Sequence, residues 1–155
     1  MKWFSVIGGS QATSDEVALA EEVGRRLAEA DVGIVCGGGA GVMEAACRGA
    51  AEAKGLSIGL LPGGSADEGN RWLTASLPTG MGEARNALVV RAGQVVIAIG
   101  GGLGTLAEIA LALRMGKPVI ALRTWTATAP DGAPLPVIAV SSASEVVSAA
   151  LREAS

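Results

Sequence analysis

An apolar run that ends in glycine and gives way to helical periodicity occurs three times in this chain. Val32–Cys36 runs into Gly37-Gly38-Gly39-Ala40-Gly41, and Val95–Ile99 into Gly100-Gly101-Gly102-Leu103-Gly104-Thr105. Trp3–Ile7 runs into the weaker cluster Gly8-Gly9-Ser10. Few folds accommodate that repetition. Strand-like runs alternating with helix-like ones predict a parallel sheet with helices on both faces. Glycine at each strand end lets the backbone turn tightly and approach a ligand, and the helix beyond it aims free N–H groups into the same space. Three such turns on one rim predict a crevice for an anion, most simply a phosphate, beyond the carboxyl ends of the strands.

The rest of the chain fits the same scheme. A helix is expected over Ser14–Ala30, opened by the capping-box pair Thr13 and Glu16, and another over Val42–Lys54. Leu56–Leu61 reads as a strand ended by Pro62-Gly63-Gly64. Ser65–Asn70 reads as loop, Arg71–Leu77 as strand or loop, and Pro78-Thr79-Gly80 as a turn. Helices are expected over Gly82–Arg91 and Thr105–Met115, with Thr105 as the cap of the second. Strands follow at Pro118–Leu122 and Val137–Val140, separated by a loop over Thr124–Pro136. Ser142 and Glu145 open a last helix that runs to about Glu153. The fold class is α/β: one doubly wound, mostly parallel sheet in a single domain spanning residues 1–155.

Composition narrows the chemistry. Half of the 155 residues are hydrophobic but only 3% are aromatic, so the core is expected to be aliphatic. The formal net charge is −3 without a basic block, which argues against a nucleic-acid partner. No apolar stretch approaches the ~18 residues of a membrane span, and the N-terminal apolar run is too short for a signal peptide, so a cytoplasmic location is expected. The chain has no histidine, hence neither the commonest general base nor the commonest metal ligand, and no metal site is expected. The two cysteines, Cys36 and Cys47, read as buried thiols.

Several residues qualify as site residues on chemical grounds. Thr105 can offer its hydroxyl to a phosphate, and Glu108 stands one helical turn further in. Arg85 offers a planar, bidentate guanidinium. Gly8, Gly9, Ser10, Gly37, Gly38, Gly39, Gly41, Gly101, Gly102 and Gly104 supply backbone to the rim. Met43 is either a core filler or a ligand contact, and Trp72 and Trp125 either stack on a ligand or cover loops. The first turn does not have the dinucleotide form, and a Walker A frame is absent. Arg123 leaves an NADP reading open as a minor alternative.

These residues also carry a resemblance. Arg85-Asn86 ahead of Gly100-Gly101-Gly102-Leu103-Gly104-Thr105 and Glu108 resembles the LONELY GUY-like superfamily, whose members carry Arg-Lys ahead of Pro-Gly-Gly-x-Gly-Thr-x-x-Glu. Cys36 to Met43 is similar to the family's Gly-Gly-Gly-x-x-Gly-Leu-Met, and Gly59-Leu60-Leu61-Pro62 to its strand ending in proline. The resemblance covers about Met1 to Leu122 and implies a Rossmann-like fold.

Two functional classes come with that resemblance. One is phosphoribohydrolases, which cut the base from nucleoside 5′-monophosphates; the other is carriers that hold the molybdenum cofactor, a phosphorylated pterin. In the hydrolases the motif arginine positions the ligand and the glutamate assists cleavage, roles that fall here to Arg85 and Glu108. Asn86 replaces the family lysine and Gly100 the motif proline, and the Arg-Asn form is more similar to the carriers. The resemblance therefore implies a carrier of a phosphorylated, nucleotide-like molecule that requires no cofactor of its own. The alternative is hydrolysis of a nucleoside monophosphate, and in either case a homodimer or higher homo-oligomer is implied.

Overall fold

The computed structural model describes residues 1–155. Strands β1 (Lys2–Gly8), β2 (Val32–Cys36), β3 (Ser57–Leu61), β4 (Ala75–Pro78), β5 (Val96–Ile99), β6 (Val119–Leu122) and β7 (Ile138–Val140) form one sheet in the order β4-β3-β2-β1-β5-β6-β7. Every neighbouring pair is parallel. The helices are α1 (Ser14–Glu29), α2 (Val42–Glu52), α3 (Arg85–Ala92), α4 (Leu103–Arg114) and α5 (Ala143–Glu153). This is the doubly wound, Rossmann-like α/β fold read from the sequence.

The chain winds outward from β1 to β4, returns to the other side of β1 with β5, and continues to β7. Strand order reverses once, between β1 and β5. Their register pairs Gly8 with Ile99, so the turns that follow the two strands leave the sheet side by side. A crevice must open there, because the connections on either side diverge to opposite faces.

The two faces are unequal. On one, the side chains of α1, α2 and α5 close over Phe4, Val6, Ile34, Ile97 and Ile120 in a cluster of 23 buried residues. On the other, α3 and α4 cover Ile7, Val96, Ala98 and Val119 in a cluster of only 8. The core is aliphatic as expected, with Phe4 its one fully buried aromatic side chain. Cys36 and Cys47 are buried free thiols with their sulfurs 3.6 Å apart in the larger cluster.

The ambiguous segment resolves into a short edge strand, β4. It includes Pro78, expected in the turn, which pairs with Leu61 at the sheet edge, where a missing N–H is tolerated. The helix expected over Gly82–Arg91 divides into a 3₁₀ turn at Gly82–Ala84 and α3 proper, which places Arg85 at the helix start. Helix α4 begins two residues earlier than expected. Gly102 is its N-cap, so Thr105 lies inside the first turn and does not cap it. The loop after β6 carries one isolated bridge, Thr128 to Pro134.

Candidate functional site

A cavity of about 390 Å³ lies at the carboxyl ends of β1 and β5. Gly8, Gly9 and Ser10 form one wall, and Gly37 and Met43 a second. Arg85 and Asn86 enter from α3, and Gly102, Gly104, Thr105 and Glu108 from α4. Residues far apart in the sequence thus share one space.

Four of the proposed glycines lie off this cavity's wall. Gly38 and Gly39 line an adjoining lobe of about 220 Å³, together with Met43, Arg85 and Glu68. Gly101 lines a lobe of about 400 Å³ with Ser10, Gln11 and Glu16. Gly41 is not among the lining residues of the main cavity. Its φ is +66°, and a Cβ there would stand 2.2 Å from the Gly9 carbonyl oxygen, which accepts the Val42 N–H at 3.1 Å. Gly41 therefore seats the start of α2 against the turn after β1.

Arg85 is held from two strands. Its Nη1 donates to the carbonyl oxygens of Gly37 (2.6 Å) and Leu60 (2.7 Å), at the ends of β2 and β3. Its Nε donates to Asn86 Oδ1 at 2.9 Å. Asn86 acts here as an acceptor, which a lysine cannot do. With Nη1 and Nε engaged in the protein, the guanidinium plane is set before any ligand arrives, and Nη2 remains to be used. A Cβ on Gly37 would come within 2.8 Å of Nη1, so this approach needs a residue without a side chain.

Glu108 is half-buried beside this cation. Burial raises its carboxyl pKa from an ordinary 4.5 to about 7, while the charge of Arg85 pulls the other way. Loss of hydration outweighs the neighbouring cation. The side chain is thereby poised to give or take a proton near neutrality.

Helix α4 opens without a side-chain cap. An α-helix leaves its first N–H groups unpaired, and Gly104 and Thr105 of the first turn of α4 line the cavity. Backbone oxygens of the preceding glycine turn are held from the far side: Thr124 Oγ1 donates to Gly100 O at 2.6 Å and Trp125 Nε1 to Gly102 O at 2.8 Å. Gly100 has φ +55°, and a Cβ there would stand 2.4 Å from the Glu16 carboxylate. Proline is confined to φ near −65°, so the glycine in place of the motif proline goes with a different backbone path.

The aromatic residues do not line the main cavity. Trp125 packs against the smaller core, and Trp72 against the larger, with the Arg71 guanidinium 4.6 Å from its ring centre. Arg123 stands off the main cavity as well. It lines a lobe of about 270 Å³ with Gly100 and Thr124 and forms a loose pair with Asp15 at 3.8 Å. Sequence reading missed Thr124, and gave Trp125 no part in holding the glycine turn. Nothing local marks them, because their partners lie 24 and 23 residues back. No helix is long and apolar enough to cross a membrane.

Residues 2–149 match the family model described as the SLOG cluster4 family. A protein of Archaeoglobus fulgidus described as uncharacterized is 38% identical over 118 residues, which are 76% of this chain and 78% of that one. The structure of the molybdenum cofactor binding protein from the phototrophic bacterium Rippkaea orientalis superposes with a TM-score of 0.85 at 34% identity, covering 97% of this chain and 96% of the other. The molybdenum cofactor carrier protein of Chlamydomonas reinhardtii gives a TM-score of 0.82 at 30% identity, with 97% and 96% covered. With almost its whole length matched, the chain belongs to the SLOG cluster4 family, within the Rossmann-like superfamily of LONELY GUY-like and molybdenum-cofactor-carrier-like proteins.

Proposed function

We propose that residues 1–155 act as one binding domain for a phosphorylated, pterin-type ligand, the molybdenum cofactor, and carry it without turning it over. The observation that carries this reading is the pairing of an uncapped α4 with a preset Arg85 across one cavity. The phosphate sits at the start of α4, where the N–H groups of the first turn and the helix dipole favour negative charge. Arg85 supplies a fixed positive charge, and its orientation costs nothing at the moment of binding because the protein already holds it. Asn86 keeps that orientation through Oδ1 and leaves its amide N–H groups for polar edges of the ligand. Likeness to a cofactor-binding and a cofactor-carrier protein over nearly the full chain supports the choice of cargo.

The second reading is hydrolysis of a nucleoside 5′-monophosphate, favoured by one feature: the Glu108 carboxyl with a pKa of about 7. Such a group can activate water or steady the positive charge that develops on a ribose as its base departs.

One experiment separates the readings. The purified protein is incubated with cofactor released from a molybdoenzyme and then gel-filtered, and the protein peak is assayed for the pterin. The same preparation is incubated with AMP and N6-substituted AMP. Stoichiometric pterin in the protein peak and no released base is the expected result. Multiple turnovers to free base and ribose 5-phosphate, abolished by Glu108→Gln, overturn the carrier reading.

A further inference from the structure

The connection after β6 holds the glycine turn from behind. Thr124 and Trp125 are adjacent, and they donate to alternate carbonyls of the turn, Gly100 O and Gly102 O. Neither side chain lines the main cavity; with Gly100 and Gly101 they line a separate lobe. In a planar trans peptide the C=O of one residue and the N–H of the next point in opposite directions. Fixing the oxygens of Gly100 and Gly102 toward the β6 side therefore fixes the N–H groups of Gly101 and Leu103 away from it.

That constraint matters because three consecutive glycines have little resistance of their own to rotation of their peptide planes. Gly100 and Gly101 already stand at φ +55° and +101°. The Gly100 N–H donates to Leu122 O at 3.2 Å, which ties the start of the turn to β6 as well. One backbone bond and two side-chain bonds thus reach the turn from the β6 side. Gly102 O accepts a further bond from the Leu106 N–H at 3.1 Å, the first of α4, so Trp125 is its second donor, while Thr124 is the one side-chain donor to Gly100 O.

We propose that Thr124 and Trp125 are positioning residues for the anion site: they hold the peptide planes of the Gly100–Gly102 turn so that its N–H groups, and those opening α4, face the crevice. This rests on the reading of the crevice as an anion site. The clasp lowers the ordering cost of binding, since a turn fixed in advance has less freedom to lose when the anion arrives. Neither side chain touches the ligand. The consequence is a change in affinity for the anionic group with little change in the fold.

The test uses the whole chain labelled with 15N and titrated with inorganic phosphate, following the amide resonances of Gly101 and Leu103 to Thr105. Trp125→Phe keeps a ring against the smaller core but lacks the N–H donor. Thr124→Val keeps the shape but lacks the hydroxyl, and Thr124→Ser restores it. The expected result for both Trp125→Phe and Thr124→Val is a phosphate Kd raised about fivefold or more, about 1 kcal/mol, with Thr124→Ser at the wild-type value. The melting temperatures of these variants stay near that of the wild type. A Kd within twofold of wild type in both Trp125→Phe and Thr124→Val overturns the clasp alone. No phosphate-dependent shift of these resonances in the wild-type protein overturns the anion site and the clasp together.

Discussion

Helices α5 and α4 begin in opposite ways. At α5, Ser142 Oγ accepts the Glu145 N–H at 3.2 Å, and the Glu145 carboxylate accepts the Ser141 N–H at 3.2 Å. The chain supplies side-chain partners to both sides of that start. At α4 the corresponding position is Gly102, which offers no side chain. Helix α1 follows α5, with Thr13 Oγ1 accepting from Glu16 N at 3.2 Å. The capped helices both pack on the heavily buried face, where α2 alone starts at an uncapped glycine, Gly41, seated against the turn after β1. Helix α4 lies on the thin face with Arg85, Asn86 and Glu108. A closed helix start contributes stability, whereas an open one leaves donors available to something outside the chain.

The sharpest way to break that contrast is Gly102→Asp, which gives α4 the start of α1 and α5. Gly102 sits at φ −101° in extended backbone, and a Cβ there meets nothing within 4 Å, so the side chain is accommodated. The carboxylate takes the first-turn donors and brings a negative charge to the place proposed for the anion. We expect ligand affinity to fall about 100-fold, the scale of one or two charge-assisted hydrogen bonds. The melting temperature should hold or rise, since an N-cap Asp is somewhat better than Gly. Calorimetric titration and thermal melts on the same sample read both. Unchanged affinity would show that the start of α4 is not where the anion binds.

How much of this was legible beforehand follows the range of each interaction. The glycine turns and the capping pairs were readable because their residues are neighbours in sequence. β4 was not, since Ala75-Ser76-Leu77-Pro78 is short and half-exposed and is a strand only because β3 lies beside it. Arg85 was readable as a guanidinium in a motif, but its hold on Gly37 O and Leu60 O comes from tertiary structure. Gly24 and Gly49 show the same limit inside helices. A Cβ on Gly24 would stand 2.0 Å from Ala46 O, and one on Gly49 1.9 Å from Glu21 O, so the close approach of α1 and α2 requires both. No local pattern announces a helix–helix contact.

A second test sharpens the comparison on the thin face itself. Glu108 has a folded pKa of about 7 against an ordinary 4.5, so the folded protein binds more protons than the unfolded chain between those values. Stability contributed at low pH is therefore lost as pH rises from 4.5 to about 7, and the loss is complete above that. Glu108 lines the cavity proposed to hold the anion, so on that reading its ionisation should lower wild-type affinity several-fold between pH 6 and pH 8, on the order of 1 kcal/mol. Glu108→Gln flattens both slopes. Titrations and melts across that pH range, with the variant correcting for the ligand's own ionisation, check the assignment. An identical slope in wild type and variant would place the titrating group elsewhere.

The smallest expected effect is at the closed end of the comparison. Ser142→Ala removes the side-chain partner of the Glu145 N–H and leaves the exposed start of α5 to water. Losing an N-cap hydroxyl costs about 1 kcal/mol, a shift of roughly 2–4 °C in melting temperature for a chain of this length. Ligand affinity should stay within twofold, because α5 follows β7 at the sheet edge, two strands away from the β1–β5 crevice. The two N-cap changes then separate cleanly: a side chain added at Gly102 moves binding and spares stability, and one removed at Ser142 does the reverse. An affinity loss in Ser142→Ala comparable with that in Gly102→Asp would mean that binding follows the general stability of the fold, and the division between closed and open helix starts would carry no functional meaning.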